Sequence, residues 1–340
     1  MRYEWIDYAK GVGILLVVLG HIIRGLLEAG ILNSDFFLFL DNIIYSFHMP
    51  LFMLLSGVFV ISSIGKRSGL QFLMSKLDTI FYPYLLWMVL QGGVEFLLSG
   101  YTNGSVSLVD VFSLWFPRAQ FWFLYVLFIF MIFVCVVRVN FGSWTLPILL
   151  FISLVIYFIL ASEDIRVISL ISRFLVFFTI GMVFGRYLSK VSGYLSSLPV
   201  FFSLFFMCFL SQYFFNIVFD LKYYDYTLFA FLNSFLSVVT VLSACINLTK
   251  HNFFMGFCML GQASMLIYLG HILSASGLRI ILQKYFGIDD AVTHIIGGIL
   301  FGILPWYVIY VMAKRYKILR YLYEVSFFSE ILMRVKRGSS

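Results

Sequence analysis

Ten stretches without Lys, Arg, Asp or Glu run through this chain of 340 residues, and they constrain its fold more than any other feature. A bilayer core about 30 Å thick is crossed by about 20 residues of α-helix, so stretches of this kind predict membrane-spanning helices. The first, third and sixth are short and must borrow flanking residues. The stretches are Gly11–Ile23, Asn42–Gly65, Thr79–Val94, Ala119–Val137, Val139–Ser162, Phe174–Gly185, Val191–Phe219, Tyr226–Thr249, His251–Leu278 and Ala291–Ala313.

The composition excludes the other fold classes. Hydrophobic residues make up 62% of the chain and charged residues 11%, whereas soluble domains are about half apolar and a quarter charged. A soluble enzyme of this size could not bury so much apolar surface. The 41 Phe residues exclude a disordered chain, and no short alternating segments indicate a transmembrane barrel. The sequence therefore predicts an all-α polytopic membrane protein with about ten transmembrane helices.

The basic residues predict the orientation. With a cytoplasmic N-terminus, the inside loops carry 9 Lys and Arg and the C-terminal tail adds 7, which makes 16 against 7 in the outside loops. This bias predicts that both termini lie in the cytoplasm. We expect the protein to lie in the plasma (inner) membrane. We predict a transmembrane domain over residues 1–313 and a basic tail over 314–340, with an interfacial helix on anionic lipid. The net charge of +7 then reflects membrane topology and indicates no nucleic-acid partner.

Three histidines fall inside predicted spans, where ionisable side chains are costly and mark functional candidates. At 1.5 Å per residue, His21, His48 and His271 lie ~20, ~16 and ~24 Å above the inner face. One buried histidine is usually a packing residue, but three at a similar depth favour a catalytic layer. Imidazole has an unperturbed pKa of ~6.5 and transfers protons near neutrality.

Lys10 and His21 point from the same face of the first predicted helix. They are eleven residues apart, close to three helical turns or ~16 Å along the axis, and Asp7 lies on nearly the same face. One interpretation pairs Asp7 with Lys10 and leaves His21 unrelated. In the other, Lys10 holds an anionic donor at the cytoplasmic mouth and His21 receives its reactive end. An extended carrier such as the pantetheine arm of coenzyme A could bridge that distance.

Four motifs together resemble the acyltransferase-3 family of integral membrane acyltransferases, and more narrowly the short branch that includes fucose 4-O-acetylase-like proteins. Each motif is common alone, but their order and spacing make the set specific. They are Ile6-Asp7-Tyr8-Ala9-Lys10-Gly11 leading to His21, Tyr45-Ser46-Phe47-His48-Met49-Pro50, Phe121-Trp122-Phe123-Leu124, and Gly261-x-x-Ser264-x-x-Ile267-Tyr268-x-x-His271.

The resemblance implies a membrane O-acetyltransferase. Its donor substrate would be cytoplasmic acetyl-CoA, with no bound cofactor, and its acceptor a hydroxyl of a glycan such as O-antigen, exopolysaccharide or a lipid-linked sugar. It implies that His21 is the main catalytic residue and that Lys10 replaces the family's usual arginine. We expect His21 to act as general base or acyl carrier, and His48 and His271 to complete the catalytic set by orienting His21 or the acceptor. The family's Arg-x-x-Arg before the third helix reads Lys76-Leu77-Asp78-Thr79 here. The second cation is missing, so Lys66, Arg67 or Lys76 would supply the donor-binding charge.

Further residues have two interpretations each. Asp41, near the outer mouth of the second helix, either hydrogen-bonds a sugar or hydrates the helix end, and Glu95 shares that ambiguity. Trp122 and Tyr268 either pack or line the site, and Asp7 and Ser264 complete the predicted supporting set. The four Cys are scattered through apolar runs, so no metal site is predicted. Two other classes stay open: a transporter or flippase with a histidine relay, and a purely structural membrane subunit.

Overall fold

The computed structural model describes residues 3–99, 106–141 and 144–338, and for residues 138–141 and 333–338 it describes the backbone alone. Met1, Arg2, Ser339 and Ser340, at the ends of the predicted membrane domain and tail, lie outside the described residues, as do residues 100–105 and 142–143. Every regular element in the described part of the chain is helical. The predicted all-α membrane class is confirmed.

Helices follow from the apolar stretches because backbone groups in a bilayer must be hydrogen-bonded within their own segment. The α-helices are α1 (Glu4–Glu28), α2 (Asp35–Val58), α3 (Val60–Gly65), α4 (Gly69–Lys76), α5 (Tyr82–Leu97), α6 (Leu108–Phe112), α7 (Trp122–Phe141), α8 (Thr145–Leu160), α9 (Arg166–Arg186), α10 (Leu188–Leu195), α11 (Leu198–Tyr213), α12 (Leu228–Lys250), α13 (Met255–Ile280), α14 (Ala291–Ala313) and α15 (Phe327–Gly338). Short π-helical turns continue three of these helices, at Leu77–Phe81, Phe214–Val218 and Ile281–Tyr285.

Nine helical segments of the described chain are long and apolar enough to cross a membrane. Each matches one predicted stretch, and the short stretches extend as expected: the first lies within Glu4–Glu28 and the third within Gly69–Leu97. The remaining predicted stretch, Val139–Ser162, contains the shorter apolar helix α8, of 16 residues.

The chain forms two compact units. The first comprises Met1–Gly20, Ser34–Ser63 and Phe141–Ser264. In it α2 packs against α9 and α12, α8 against α9, and α11 against α12. A β-carbon added to Gly181 would lie 2.0 Å from the carbonyl oxygen of Leu54. Only glycine therefore permits the close crossing of α9 and α2.

Within the first unit α1 and α2 run antiparallel. Trp5 and Tyr8, near the start of α1, share a buried apolar cluster with Val58, at the end of α2. Gly20, further along α1, lies against the ring of Tyr45, nearer the start of α2. The start of α2 therefore lies at the end of this unit opposite the start of α1.

The second unit comprises His21–Asn33, Ile64–Asn140 and Met265–Ser340. In it α4, the π-helical turn Leu77–Phe81 and α5 form one continuous span, against which α6 and α15 pack.

The C-terminal segment is bound to this span by polar contacts. The hydroxyl of Tyr82 donates to the carbonyl of Tyr321 at 2.9 Å, and the indole N–H of Trp87 donates to the carbonyl of Leu322 at 2.6 Å. The predicted tail thus contains a docked helix, α15, and its contact with lipid stays a prediction.

Candidate functional site

Helix α1 carries Lys10 and His21 on one unbroken helix, since it runs from Glu4 to Glu28. Both side chains are half-buried, whereas Asp7 is buried, with 7% of its surface exposed. Their separation along the axis is ~16 Å, as the sequence predicts. The partly accessible basic group and imidazole on α1 are those that the motif analysis singled out.

The glycine of the last motif sets how α13 meets α1 in the first unit. A β-carbon on Gly261 would lie 1.7 Å from the carbonyl oxygen of Asp7. The two backbones are therefore in contact, and no other residue fits at position 261 without separating the helices. This contact lies three residues before Lys10 on α1 and brings the backbone of the last motif against that of the first. Ser264 follows on α13 and is half-buried.

The second unit brings two of the predicted histidines together. The rings of His21 and His271 lie with centroids 5.2 Å apart and planes tilted by 52°. His271 is fully buried, with 0% of its surface exposed, whereas His21 is half-buried. A ligand can therefore reach His21 more readily than His271.

The tautomer of His271 follows from its partners. Its Nδ1 lies 2.8 Å from the carbonyl of Tyr268 and 3.1 Å from that of Ile267. Carbonyl oxygens only accept hydrogen bonds, so Nδ1 must carry the proton. In the neutral ring Nε2 then has only a lone pair. Nε2 is buried and has no hydrogen-bond partner among the described residues, and a buried polar atom in this condition marks a place for a ligand or a proton donor.

A polar shelf joins the last motif to the Trp-containing motif in the second unit. The hydroxyl of Tyr268 donates to the carbonyl of Gln120 in a short hydrogen bond. The amide of Gln120 donates to Oε1 of Gln91 at 2.8 Å, and both glutamines have 2% of their surface exposed. The ring of Phe123 packs edge-on against Tyr268, with centroids 5.6 Å apart. The residues before α7 are thereby fixed to α13 just before His271.

Trp122, for which the sequence analysis left packing and lining the site as alternatives, is half-buried and packs edge-on against Phe123, with centroids 6.3 Å apart. Gln91 and Gln120 were missed by the sequence analysis. Their signal is two uncharged amides inside predicted apolar spans, which is weaker than that of a histidine.

His48 belongs to the first unit and has 1% of its surface exposed. Its Nδ1 lies 2.7 Å from the carbonyl of Ile44 and so carries the proton. The ring of Tyr45 meets His48 edge-on, with centroids 4.6 Å apart. Asp41 lies one turn before Tyr45 on α2 and is half-buried.

The predicted donor-binding cations around α4 differ in exposure. Lys66 and Arg67 are exposed just before this helix, and an Nη atom of Arg67 donates to the hydroxyl of Ser75 at 2.8 Å. Lys76 is half-buried at the end of α4, with Nζ 5.2 Å from the centroid of the Phe72 ring. Within the described ranges, no group of three or more His, Cys, Asp or Glu side chains could hold a metal ion.

Comparison with known proteins decides the family. A family profile described as an acyltransferase domain matches residues 3–311. The chain belongs to the acyltransferase-3 family. The family resemblance predicted from the four motifs is therefore confirmed, and the chain is a multi-pass membrane member of this acyltransferase family. The match spans all the predicted site residues of the chain, from Asp7 to His271.

This family member is also similar to two curated relatives over part of its length. It is 36% identical over 86 residues to nodulation protein NolL of Mesorhizobium japonicum (strain LMG 29417 / CECT 9101 / MAFF 303099), covering 25% of this chain and 22% of the relative. It is 34% identical over 87 residues to nodulation protein NolL of Sinorhizobium fredii (strain NBRC 101917 / NGR234), covering 25% and 23%. The aligned region thus spans less than a quarter of these relatives. No solved structure matches the chain significantly.

Proposed function

We propose that this acyltransferase moves an acetyl group from acetyl-CoA to a hydroxyl of a cell-surface or lipid-linked glycan. The observation that supports the proposal is the ring contact of His21 with His271 inside the membrane-spanning helices. Two imidazoles in contact at such a depth form the basis of a proton-transfer site. In this proposal the enzyme lies in the plasma (inner) membrane with both termini in the cytoplasm, where acetyl-CoA is available.

His21 is the general base in this proposal and His271 is its positioning residue. No described residue forms a hydrogen bond with Nε2 of His271, and in this proposal a small rotation of the adjacent rings lets that atom accept an N–H from His21. This bond would fix the tautomer of His21 and leave its other nitrogen unprotonated. This is how a second group orients a catalytic imidazole in hydrolases. The difference in burial supports these roles, because a substrate reaches the half-buried ring of His21 more readily.

The transfer balances with these groups alone. The unprotonated nitrogen of His21 takes the proton of the glycan hydroxyl while the hydroxyl oxygen attacks the carbonyl carbon of the thioester. The tetrahedral intermediate collapses, the C–S bond breaks, and the imidazolium returns the proton to the thiolate of coenzyme A. The products are an acetyl ester and free coenzyme A. A route in which His21 carries the acetyl group uses the same residues in two steps.

Four cations are proposed to contact the phosphates of acetyl-CoA: Lys10 on α1, and Lys66, Arg67 and Lys76 around α4. Charge-assisted hydrogen bonds to phosphate are among the strongest available to a protein. The extended pantetheine arm would cover the ~16 Å along α1 from Lys10 to His21.

The first test is a mass spectrum of surface glycans from cells with the wild-type protein, no protein, or His21→Ala at matched membrane levels. We expect an acetyl increment only with the wild type. His251→Ala is the matched control, because His251 is exposed at the end of α12 and outside the proposed site. It should keep the increment.

A His21→Ala protein that acetylates at the wild-type level would contradict the assignment of His21. Acetyl-CoA binding to the purified protein tests the donor separately. If the glycans of cells with and without the protein differ but carry no acetyl increment, the transporter alternative would be indicated.

A further inference from the structure

A buried asparagine fixes the backbone of an outlying loop in the first unit. We call residues 219–227, between α11 and α12, the tyrosine loop. Asn42, with 7% of its surface exposed, donates from Nδ2 to the carbonyl of Leu221 at 2.9 Å and to Oδ1 of Asn216 at 2.7 Å. Its Oδ1 accepts the N–H of Tyr223 at 2.7 Å. Both ends of this carboxamide are therefore used to hold the tyrosine loop.

Four aromatic rings form a continuous path from a buried histidine to the surface of this unit. Tyr45 touches His48, with centroids 4.6 Å apart. Tyr223 touches Tyr45 at 5.4 Å, and Tyr224 touches Tyr223 at 5.0 Å. Exposure rises along the path, from 1% at His48 to 52% at Tyr224.

Charged side chains hold the other side of the tyrosine loop. The guanidinium of Arg173 lies 4.2 Å from the centroid of the Tyr226 ring, and burial raises the pKa of Tyr226 to about 12, so its phenol stays neutral. The backbone N–H of Lys222 donates to Asp225 at 2.7 Å. The loop therefore presents aromatic faces beside ammonium and carboxylate groups, in a fixed backbone.

We infer that the tyrosine loop binds a sugar ring of the acceptor glycan, with Tyr224 as the first ring and His48 at the inner end of the path. The inference rests on the proposed function. A pyranose has an apolar C–H face that packs on an aromatic ring, and hydroxyls that bond to charged or amide groups. Binding sites for such ligands combine aromatic walls with a few placed polar groups.

The alternative is an aromatic belt, because tyrosines gather at membrane interfaces. Two observations favour the sugar site. An aromatic belt needs no fixed loop, whereas the buried carboxamide of Asn42 fixes the backbone of the tyrosine loop. A belt residue faces lipid, whereas Tyr223 packs inward on Tyr45 towards the buried His48. The loop also joins the end of the first unit opposite the start of α1, which separates it from Lys10.

The test uses the purified full chain in nanodiscs, acetyl-CoA, and a panel of methyl glycosides (glucoside, galactoside, mannoside, fucoside and N-acetylglucosaminide). Acetylated product is measured by mass spectrometry, and acetyl-CoA binding by calorimetry. We expect Tyr224→Ala to raise the acceptor KM about tenfold, the equivalent of one good aromatic contact. Acetyl-CoA affinity should not change. Tyr224→Phe keeps the ring and should retain the wild-type KM within about twofold, and Asn42→Leu, which releases the loop, should resemble Tyr224→Ala.

Tyr194→Ala is the matched control, because Tyr194 is 66% exposed on α10 of the same unit and outside the tyrosine loop. An unchanged acceptor KM in Tyr224→Ala, or an equal rise in Tyr194→Ala, would overturn the sugar site while leaving the proposed function intact. A wild-type protein that binds acetyl-CoA yet acetylates no glycoside would contradict the acceptor class of the proposed function, and the inference would fall with it.

Discussion

The carboxylate of Asp78 supplies a helix cap from a distant part of the chain, and its removal should release the C-terminal helix. The first amides of any helix lack partners within it. Here the amide of Phe328 donates to Asp78 at 2.9 Å, the amide of Ser329 at 3.0 Å, and the hydroxyl of Ser329 at 2.5 Å. Asp78 lies in the π-helical turn Leu77–Phe81 and has 2% of its surface exposed. All these residues belong to the second unit.

The size of the effect follows from these bonds. A hydrogen bond to a charged group is worth about 1.5–3 kcal/mol, and one capping interaction about 1 kcal/mol. The three bonds share one carboxylate and do not add, so we expect Asp78→Ala to weaken docking of α15 by about 3 kcal/mol. Each 1.4 kcal/mol is a factor of ten, so the undocked population should rise about 100-fold. Ser329→Ala removes one bond and should raise it about tenfold.

Hydrogen–deuterium exchange of the peptide covering residues 326–333, in nanodiscs, measures this opening. The exchange rate should rise by the same factors, with unchanged exchange in α14 as the check on folding. Asp110→Ala is the matched control, because Asp110 caps its own short helix through Ser107. If the exchange rate of this peptide in Asp78→Ala stays within about threefold of wild type, the cap by Asp78 does not hold α15 in place. Docking would then rest on the bonds of Tyr82 and Trp87.

Three further outcomes are expected. His271→Gln should abolish transfer while His294→Gln retains it, measured as acetylated product; equal losses would remove His271 from the site. Gly261→Ala forces α13 from α1 and should cost about 2 kcal/mol, lowering the melting temperature in detergent, whereas Gly256→Ala meets open space and should not. A backbone hydrogen bond lowers the pKa of Asp290 at the start of α14, so its cap stabilises above the unfolded-state pKa and is lost as pH falls through the lowered value. Asp290→Asn should remove that pH dependence of the melting temperature, and an unaltered profile would count against it.

The positions of the membrane spans could be predicted from the sequence. A long stretch without charge can cross the bilayer only as a helix, because its backbone groups must be hydrogen-bonded within the segment. The Lys10–His21 register could be read for a similar reason, since both residues lie on one helix. The contact of His21 with His271 could be expected only as a shared depth. The depth of two residues along their helices does not determine which faces of the helices are in contact. That contact depends on packing between segments that are distant in the sequence.

Other features had no signal that sequence reasoning could use. Asp78 occupies a variable position of the family's Arg-x-x-Arg, and only the structure shows it bound to Phe328 and Ser329, about 250 positions away. Asn42 looks like a neutral residue at the start of an apolar run, yet it holds the tyrosine loop. Capping and loop-fixing side chains are invisible in the sequence when their partners are far along the chain.

A buried imidazole with an unpaired nitrogen is not enough to identify a site. His294 is 3% exposed, its Nε2 lies 2.8 Å from the carbonyl of Ile288, and its Nδ1 is buried without a partner among the described residues. His271 has the same bare nitrogen, so the cost of an unpaired polar atom, about 1–3 kcal/mol, is common to both. What differs is the second imidazole, since His271 touches the half-buried His21. An unpaired ring nitrogen can take part in proton transfer only when a proton carrier lies beside it. The His21–His271 pair therefore supports the proposed chemistry, whereas burial or an unpaired nitrogen alone does not.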